Sequence, residues 1–468
     1  MRKYLIIFTS ICIVALSCNK DSFTNNANAY LYADLPAGGD TLSFDTVFTS
    51  VSSVTKFFLI KNIDSKSIHI NDIQLAGGEN SFFKINVNGT PGTNFHNIDL
   101  AAGDSMYVFV TVNITPDSNT NPFVIQDSIS YSWNGNIRYV QLKATGRNAI
   151  FISSQTTIQH DTAWTNKLPI VLLGNFTIDK GATLTIQKGT KIYLHAKTIF
   201  QINGTLIANG ESDTADRILF TGDRLDDPYY KSPNQWRGIN IGEASTGNIL
   251  NNVTIKNAYI GIADTLNIAA QSPTRLSLSN CIITNHSYAA IYFRNTNAIA
   301  INSLISNSNV QTVLENGGKY SFNYCTIAGY GNEYVQHINP SVIIQNNSSA
   351  ESVNSLTANF TNSIIYGDQS QNDELLTNAN NEANFSININ YCIYKLNSSL
   401  TGVSFSNSIQ NSDPLFITTD YNHDNFNFNV EENSPAVGSG IPNSVTTDIT
   451  GQPRDATKPT IGCYEFKE

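Results

Sequence analysis

The sequence predicts an all-β chain in two parts, an antiparallel sandwich followed by a coil of short parallel strands. Three observations carry that expectation. Apolar and polar residues alternate in short runs up to about residue 148, glycines then divide the chain into β-rich runs at close intervals, and one six-residue pattern recurs through the second half. With 468 residues, 41% hydrophobic and only 14% charged, the chain carries enough apolar content for two packed domains and is not disordered. The net charge is −10, and the 27 Lys and Arg are scattered without a basic stripe, which excludes nucleic acid as a partner.

The first element, residues 1–17, is an export signal. Arg2 and Lys3 precede an apolar stretch over residues 4–16 that is too short to span a bilayer. It ends in Ala15-Leu16-Ser17-Cys18, which resembles the lipobox of bacterial lipoproteins. That resemblance implies that Cys18 becomes the diacylated first residue, held in the membrane by palmitate-type chains at about 0.8 kcal/mol per buried CH2. Asn19 after the cysteine points, by analogy with lipoprotein sorting, to the outer membrane and the cell surface. Residues 18–40 read as a polar, Asn-rich tether.

Residues 41–148 are the second element. Phe57-Phe58-Leu59-Ile60, Ile68-His69-Ile70, Phe82-Phe83-Lys84-Ile85, Tyr107-Val108-Phe109-Val110 and Val140-Gln141-Leu142 alternate with turn signals such as Gly77-Gly78, Asn88-Gly89 and Asn134-Gly135. About seven strands fit a two-sheet antiparallel sandwich. The run from Phe44-Asp45-Thr46-Val47 to Leu142-Lys143-Ala144-Thr145-Gly146 resembles immunoglobulin-like domains of the Hydin type, which implies a spacer or interaction module. His69 and His96 are read as ordinary structural histidines.

Residues 149–468 form the third element. Phe176-Thr177-Ile178, Leu184-Thr185-Ile186, Lys191-Ile192-Tyr193 and Leu206-Ile207-Ala208 lie between Gly174, Gly181, Gly189, Gly204 and Gly210, a spacing too tight for crossover helices. Further on, a unit of apolar, any, Asn or Tyr, small, apolar, apolar recurs with its small position at Val253, Cys281, Ser303, Cys325, Ser363, Cys392 and Ser408. The gaps centre on the 20-odd residues of one three-sided turn, so the chain reads as a right-handed parallel β-helix. Equivalent residues on adjacent turns stack about 4.8 Å apart. Cys281, Cys325 and Cys392 are therefore separated by two turns each, beyond disulfide reach, and are expected as buried free thiols. The 60 asparagines, including Asn257, Asn285, Asn307 and Asn397 just past strands, fit left-handed corners and amide ladders.

The segment from Ile218 through Asp227 to Gln235-Trp236-Arg237-Gly238-Ile239 resembles an element of bacterial β-helix lipoproteins. The closing stretch, Asp448-Ile449-Thr450-Gly451-Gln452-Pro453-Arg454 and Ile461-Gly462-Cys463-Tyr464-Glu465, resembles the end of the pectate-lyase-like superfamily. That likeness implies the fold and leaves the activity open. Enzymes on the scaffold cut polysaccharides with paired carboxylates, or with a Lys or Arg base beside a neutralising partner or Ca2+. The charges between residues 250 and 410 are scattered, so a non-catalytic chain that presents its surface to a glycan or an envelope protein is expected. A polysaccharide lyase or glycoside hydrolase is the alternative, requiring a groove shared with Lys256, Arg275 or Arg294. The densest polar cluster is Asp223, Arg224, Asp226, Asp227, Tyr229, Tyr230, Lys231, Trp236 and Arg237, whose rings and charges suit sugar stacking, with Ca2+ conceivable at Asp223, Asp226 and Asp227. No Cys or His pair has metal-ligand spacing. Asp-Thr-apolar and Asp-Ser-apolar tripeptides, such as Asp45-Thr46-Val47 and Asp104-Ser105-Met106, are similar to O-glycosylation acceptors of Bacteroidetes-type exported proteins.

Overall fold

A computed structural model describes residues 22–467 apart from 119, 154, 266–273, 347–352 and 370–372; the export signal and Cys18 lie outside the described residues. The chain divides into two compact units, Met1–Asn148 and Ala149–Glu468. Among the described residues no helix is long and apolar enough to cross a membrane.

Among the described residues, ten strands build the first unit: β1 (Leu31–Asp34), β2 (Thr41–Phe48), β3 (Lys56–Asn62), β4 (Ile68–Leu75), β5 (Phe83–Val87), β6 (Thr90–Gly92), β7 (Asn94–Leu100), β8 (Ser105–Val112), β9 (Phe123–Trp133) and β10 (Asn136–Arg147). They form two five-stranded sheets, β1-β3-β8-β5-β6 and β2-β10-β9-β4-β7. Alternation does the work: Phe58 and Ile60 on β3 and Val108 and Val110 on β8 face a common core with no exposure, while the residues between them face out. Two details depart from the sequence reading. The β2–β10 pair is parallel, not antiparallel, with Leu42 opposite Leu142. Residues 22–40 are also not all tether. Ala29, Leu31 and Leu35 are buried, β1 pairs with β3, and Trp133 Nε1 donates to Ala29 O at 2.8 Å. The Asn-rich composition of this segment obscured three well-spaced apolar residues that the sandwich core needs. His69 and His96 sit in exposed cross-strand pairs with Asp99 and Asp72, at 2.6 and 2.5 Å.

The second unit is a right-handed parallel β-helix. Among the described residues its strands stack into an 11-stranded and a 17-stranded sheet whose ladders are parallel throughout the pairings described. Each turn places one side chain over its equivalent on the turn before. Ile170, Ile192, Phe220, Ile255, Ile283, Ile305, Ile327 and Ile365 form one inward column, all essentially unexposed. A second column of Leu250, Leu278, Ala300, Phe322, Phe360 and Ile389 comes from the other sheet.

The recurring six-residue unit is the corner between these columns. The residue before the small position takes left-handed backbone at every repeat: Asn252, Asn280, Asn302, Tyr324, Asn362, Tyr391 and Asn407 have φ between 48° and 53°. Asparagine is among the side chains that accept this region at least cost, because its amide bonds locally. The small residues then stack as a ladder of their own. Cys281 N donates to Ser303 Oγ, Cys325 N to Ser363 Oγ and Cys392 N to Ser408 Oγ, at 3.2, 3.1 and 3.0 Å. A serine turn thus separates successive cysteines, and all three are buried free thiols. Burial pushes Cys281 up to about 11 and Cys325 and Cys392 up to about 12, so none is a thiolate at neutral pH.

The C-terminal segment folds back along the outside of the 11-stranded sheet. A hairpin of β11 (Phe416–Asp420) and β12 (Asn425–Val430) starts it. Phe416, Phe428, Ile449 and Ile461 then pack over the outward Leu304, Ile364 and Ile393. Arg454 secures the end from within. Its guanidinium bonds Asn302 Oδ1, Gly462 O and Glu465, and lies 3.8 Å from the centre of the Tyr324 ring.

Candidate functional site

The cluster expected at residues 223–237 is not one site. A single turn of 3-10 helix, Tyr229–Lys231, bends this loop across the helix exterior and sends its side chains in different directions. Asp223 accepts from His195 Nδ1 at 2.7 Å. Arg224 grips Asp226 with two hydrogen bonds of 2.8 and 2.9 Å and covers the Tyr229 ring at 3.9 Å. Those pairings overturn the Ca2+ expectation: Asp223, Asp226 and Asp227 do not converge, and among the described residues no group of three acidic, His or Cys side chains could hold a metal. Trp236 corrects the reading further. It has no exposure and donates Nε1 to Lys256 O at 3.0 Å, so it is a core residue and cannot stack on a sugar. Arg237 lies over the Tyr259 ring at 5.5 Å, and Tyr259 stacks on Tyr288 of the next turn.

Two residues of the loop do reach a concave site. Tyr230 and Lys231 form one wall of a cleft of about 330 Å³. Its floor is the outer face of the 11-stranded sheet, with Lys256, Thr284, Ser306, Ile282 and Leu304, and its far wall is the hairpin, with Asp424, Phe426 and Phe428. The wall is pinned by the corner asparagines. Asn257 Nδ2 donates to Tyr230 O at 2.8 Å, Asn285 Nδ2 donates to Lys231 O and to Asn257 Oδ1 at 2.6 and 2.9 Å, and Asn332 Nδ2 donates to Asn285 Oδ1 at 3.2 Å. The three corners Asn257, Asn285 and Asn307 have φ of 65°, 62° and 50°, so one backbone feature both turns the helix and presents amides to the cleft. Asn397 is different: it lacks the left-handed backbone and accepts from Asn411 Nδ2 at 3.2 Å.

Charge in the cleft is uneven. Lys231 lies 3.5 Å from Asp424; burial opposes its charge, but Asp424 and Tyr230 outweigh it and hold its pKa above the ordinary lysine value. Lys256 is half-buried, and burial lowers its pKa, with Asp424 only partly opposing. Two lysines therefore face the cleft against one carboxylate, Asp424, among its described lining residues. The other cations named by the sequence are committed elsewhere. Arg275 is buried with Asp264 at 2.7 Å and Arg294 pairs with Glu315 at 3.1 Å.

The sequence carries no signal for Asp424, Phe426 or Phe428, which lie nearly 200 residues from Tyr230. It also missed His337, whose buried ring has Asp368 at 2.7 Å on Nδ1 and Glu374 at 3.2 Å on Nε2. This clamp braces the loop that carries Asn332 and Tyr334, whose hydroxyl lies 3.5 Å from Pro228 O.

No family model matches the chain, and no curated protein does. Among solved structures, the chain is similar to pectate lyase Pel9A at 10% identity, over 68% of this chain and 88% of that one, with a TM-score of 0.33. It is similar to the catalytic unit of a thermostable GH87 α-1,3-glucanase from Streptomyces thermodiastaticus at 10% identity, over 75% and 77%, with a TM-score of 0.24. It spans only 30% of a family 123 glycoside hydrolase from Clostridium perfringens, over 26% of its own length, at 10% identity and a TM-score of 0.19.

Proposed function

We propose that this chain is a lipid-anchored protein of the bacterial outer membrane, displayed at the cell surface, whose β-helix binds a glycan in the cleft between Tyr230 and Asp424 without cleaving it. The observation that carries this reading is the composition of the cleft. It holds an aromatic side chain, Tyr230, a row of corner amides and two lysines against one carboxylate. Aromatic surface packs on the apolar face of a sugar ring, the corner amides hold the wall that carries Tyr230 in place, and the surplus cation favours an acidic sugar. Acyl chains on Cys18 supply the membrane attachment, and the immunoglobulin-like first unit serves as the spacer.

Soluble protein starting after Cys18, titrated with acidic and neutral polysaccharides while binding heat, reducing ends and unsaturated products are recorded, tests the reading. Heat without products, lost in Lys256→Ala, is expected. No heat with any polysaccharide would overturn it and leave an envelope protein as the partner to seek.

One observation favours a second reading, elimination by a polysaccharide lyase. Lys256 is a half-buried amine with a lowered pKa, as a base would need. It would take the C5 proton of a uronate as the C4–O4 bond breaks, leaving a 4,5-unsaturated end. Unsaturated products that vanish in Lys256→Ala would establish it. Hydrolysis by two carboxylates finds no second partner for Asp424 among the described lining residues.

A further inference from the structure

The first unit carries a surface that a spacer does not need. On the solvent side of the β1-β3-β8-β5-β6 sheet, where alternation should place polar side chains, Phe57 of β3 and Tyr107 and Phe109 of β8 form one cluster. Ring centres lie 5.4 Å apart for Phe57 and Tyr107, 6.1 Å for Phe57 and Phe109 and 5.5 Å for Tyr107 and Phe109. Phe57 is 41% and Tyr107 46% exposed, so the rings are held in place yet open to solvent.

Beside Phe109 the same face sinks into a hollow of about 350 Å³. Register explains its position: Asn86 of β5 lies opposite Phe109 on one side and Pro91 of β6 on the other, and Lys84 lies opposite Thr111. Two features of the hollow are unfinished. The Asn86 amide oxygen is buried with no hydrogen-bond partner, which costs free energy unless a donor arrives. Lys84 is the only charged side chain among the described lining residues, and among the described residues its ammonium is engaged only by the Glu79 carbonyl oxygen, at 3.3 Å. The neighbouring lysines are already neutralised, Lys61 by Asp34 and Lys56 by Asp45. The hollow therefore keeps one uncompensated positive charge in a chain of net charge −10.

We propose that this face is a second glycan site, which binds a uronate-containing polysaccharide. A sugar ring packs against Phe57, Tyr107 and Phe109, and its carboxylate meets Lys84. A uronate suits the hollow because its carboxylate is attached directly to the ring carbons, within one ring's width of the hydroxyls. The site stands on residues of the first unit alone and does not depend on the cleft.

The test uses the chain from Cys18 onward with the cleft silenced by Lys231→Ala and Lys256→Ala. Its migration is followed in native gels containing polygalacturonate, alginate, dextran or dextran sulfate. Retardation by polygalacturonate or alginate is expected, weakened about tenfold by Phe57→Ala with Tyr107→Ala. Lys84→Glu, an exposed change that leaves the rings in place, is expected to abolish it, and so decides the matter if the double variant fails to fold. Three results would each overturn the proposal: no retardation by either uronate polymer, retardation that survives Lys84→Glu, or retardation by dextran or dextran sulfate alone.

Discussion

His337 makes stability of the second unit depend on pH in a calculable direction. Its side chain is 1% exposed and lies between Asp368, at 2.7 Å, and Glu374, at 3.2 Å. Burial alone would lower its pKa; the hydrogen bond to Asp368 and the Glu374 carboxylate beside Nε2 outweigh burial and raise it from 6.5 to about 9. A histidine raised on folding stabilises the fold in its protonated form. Its contribution is full below about pH 6.5 and is lost as the pH climbs through about 9. The shift corresponds to on the order of 3 kcal/mol, and the half-exposed Asp368 will reduce it somewhat. Urea unfolding at about pH 6, 8 and 10 should therefore show a falling midpoint, and His337→Gln should remove most of that fall. Hydrogen exchange locates the effect. The Gly331 amide bonds Asp368 and the Ser341 amide bonds Glu374, so both should lose protection at high pH in the native protein. A midpoint independent of pH over this window, or an equal fall in His337→Gln, would refute the clamp.

Three further outcomes follow from the packing. Arg454→Met leaves Glu465 and Asn302 buried without their partner and should cost about 3–5 kcal/mol, read as early proteolysis of the C-terminal segment. Asn280→Val, at φ 53° and with an amide that donates to Asn251 Oδ1 at 3.1 Å, should lower stability by about 1–2 kcal/mol, and Asn280→Gly by less. Native protein treated with a thiol alkylator should leave Cys281, Cys325 and Cys392 unmodified until urea unfolds the β-helix; mass spectrometry reads this, and rapid labelling in the folded state would contradict their burial.

Much of the β-helix was legible because it repeats. The Asn-or-Tyr, small, apolar pattern marks a corner that must recur wherever the chain turns, and every marked corner has left-handed backbone. The sandwich was legible from alternation, except where composition misled: polar residues around Ala29, Leu31 and Leu35 hid a strand that the core recruits. Site chemistry was less visible. Trp236 beside Arg237 looks like a binding pair in sequence, yet their side chains part, one into the core and one onto Tyr259. Periodicity fixes which residues share a column but not which distant segment lies over that column. The pairing of Lys231 with Asp424 therefore had no signature.

The position of the cleft nonetheless follows from an outward column of the 11-stranded sheet. Successive turns place Leu219, Thr254, Ile282, Leu304, Thr326, Ile364 and Ile393 at one exterior position. The later, largely apolar stretch must be covered, and the C-terminal segment covers it. The cleft sits beside this cover, floored by Ile282 and Leu304 and walled by the hairpin that begins the covering segment. Phe428 holds that element down. It is 4% exposed and packs on Phe416 and Tyr330, with ring centres 5.1 and 5.7 Å away. Phe428→Ala should cost about 3–5 kcal/mol locally, release the hairpin and take Asp424 and Phe426 away from the floor. The inward columns do not involve it, so the β-strand circular dichroism should persist while glycan affinity falls. If proteolysis shows the hairpin freed and the affinity for an acidic polysaccharide is unchanged, the wall plays no part in binding, and the cleft is only the edge of a cover.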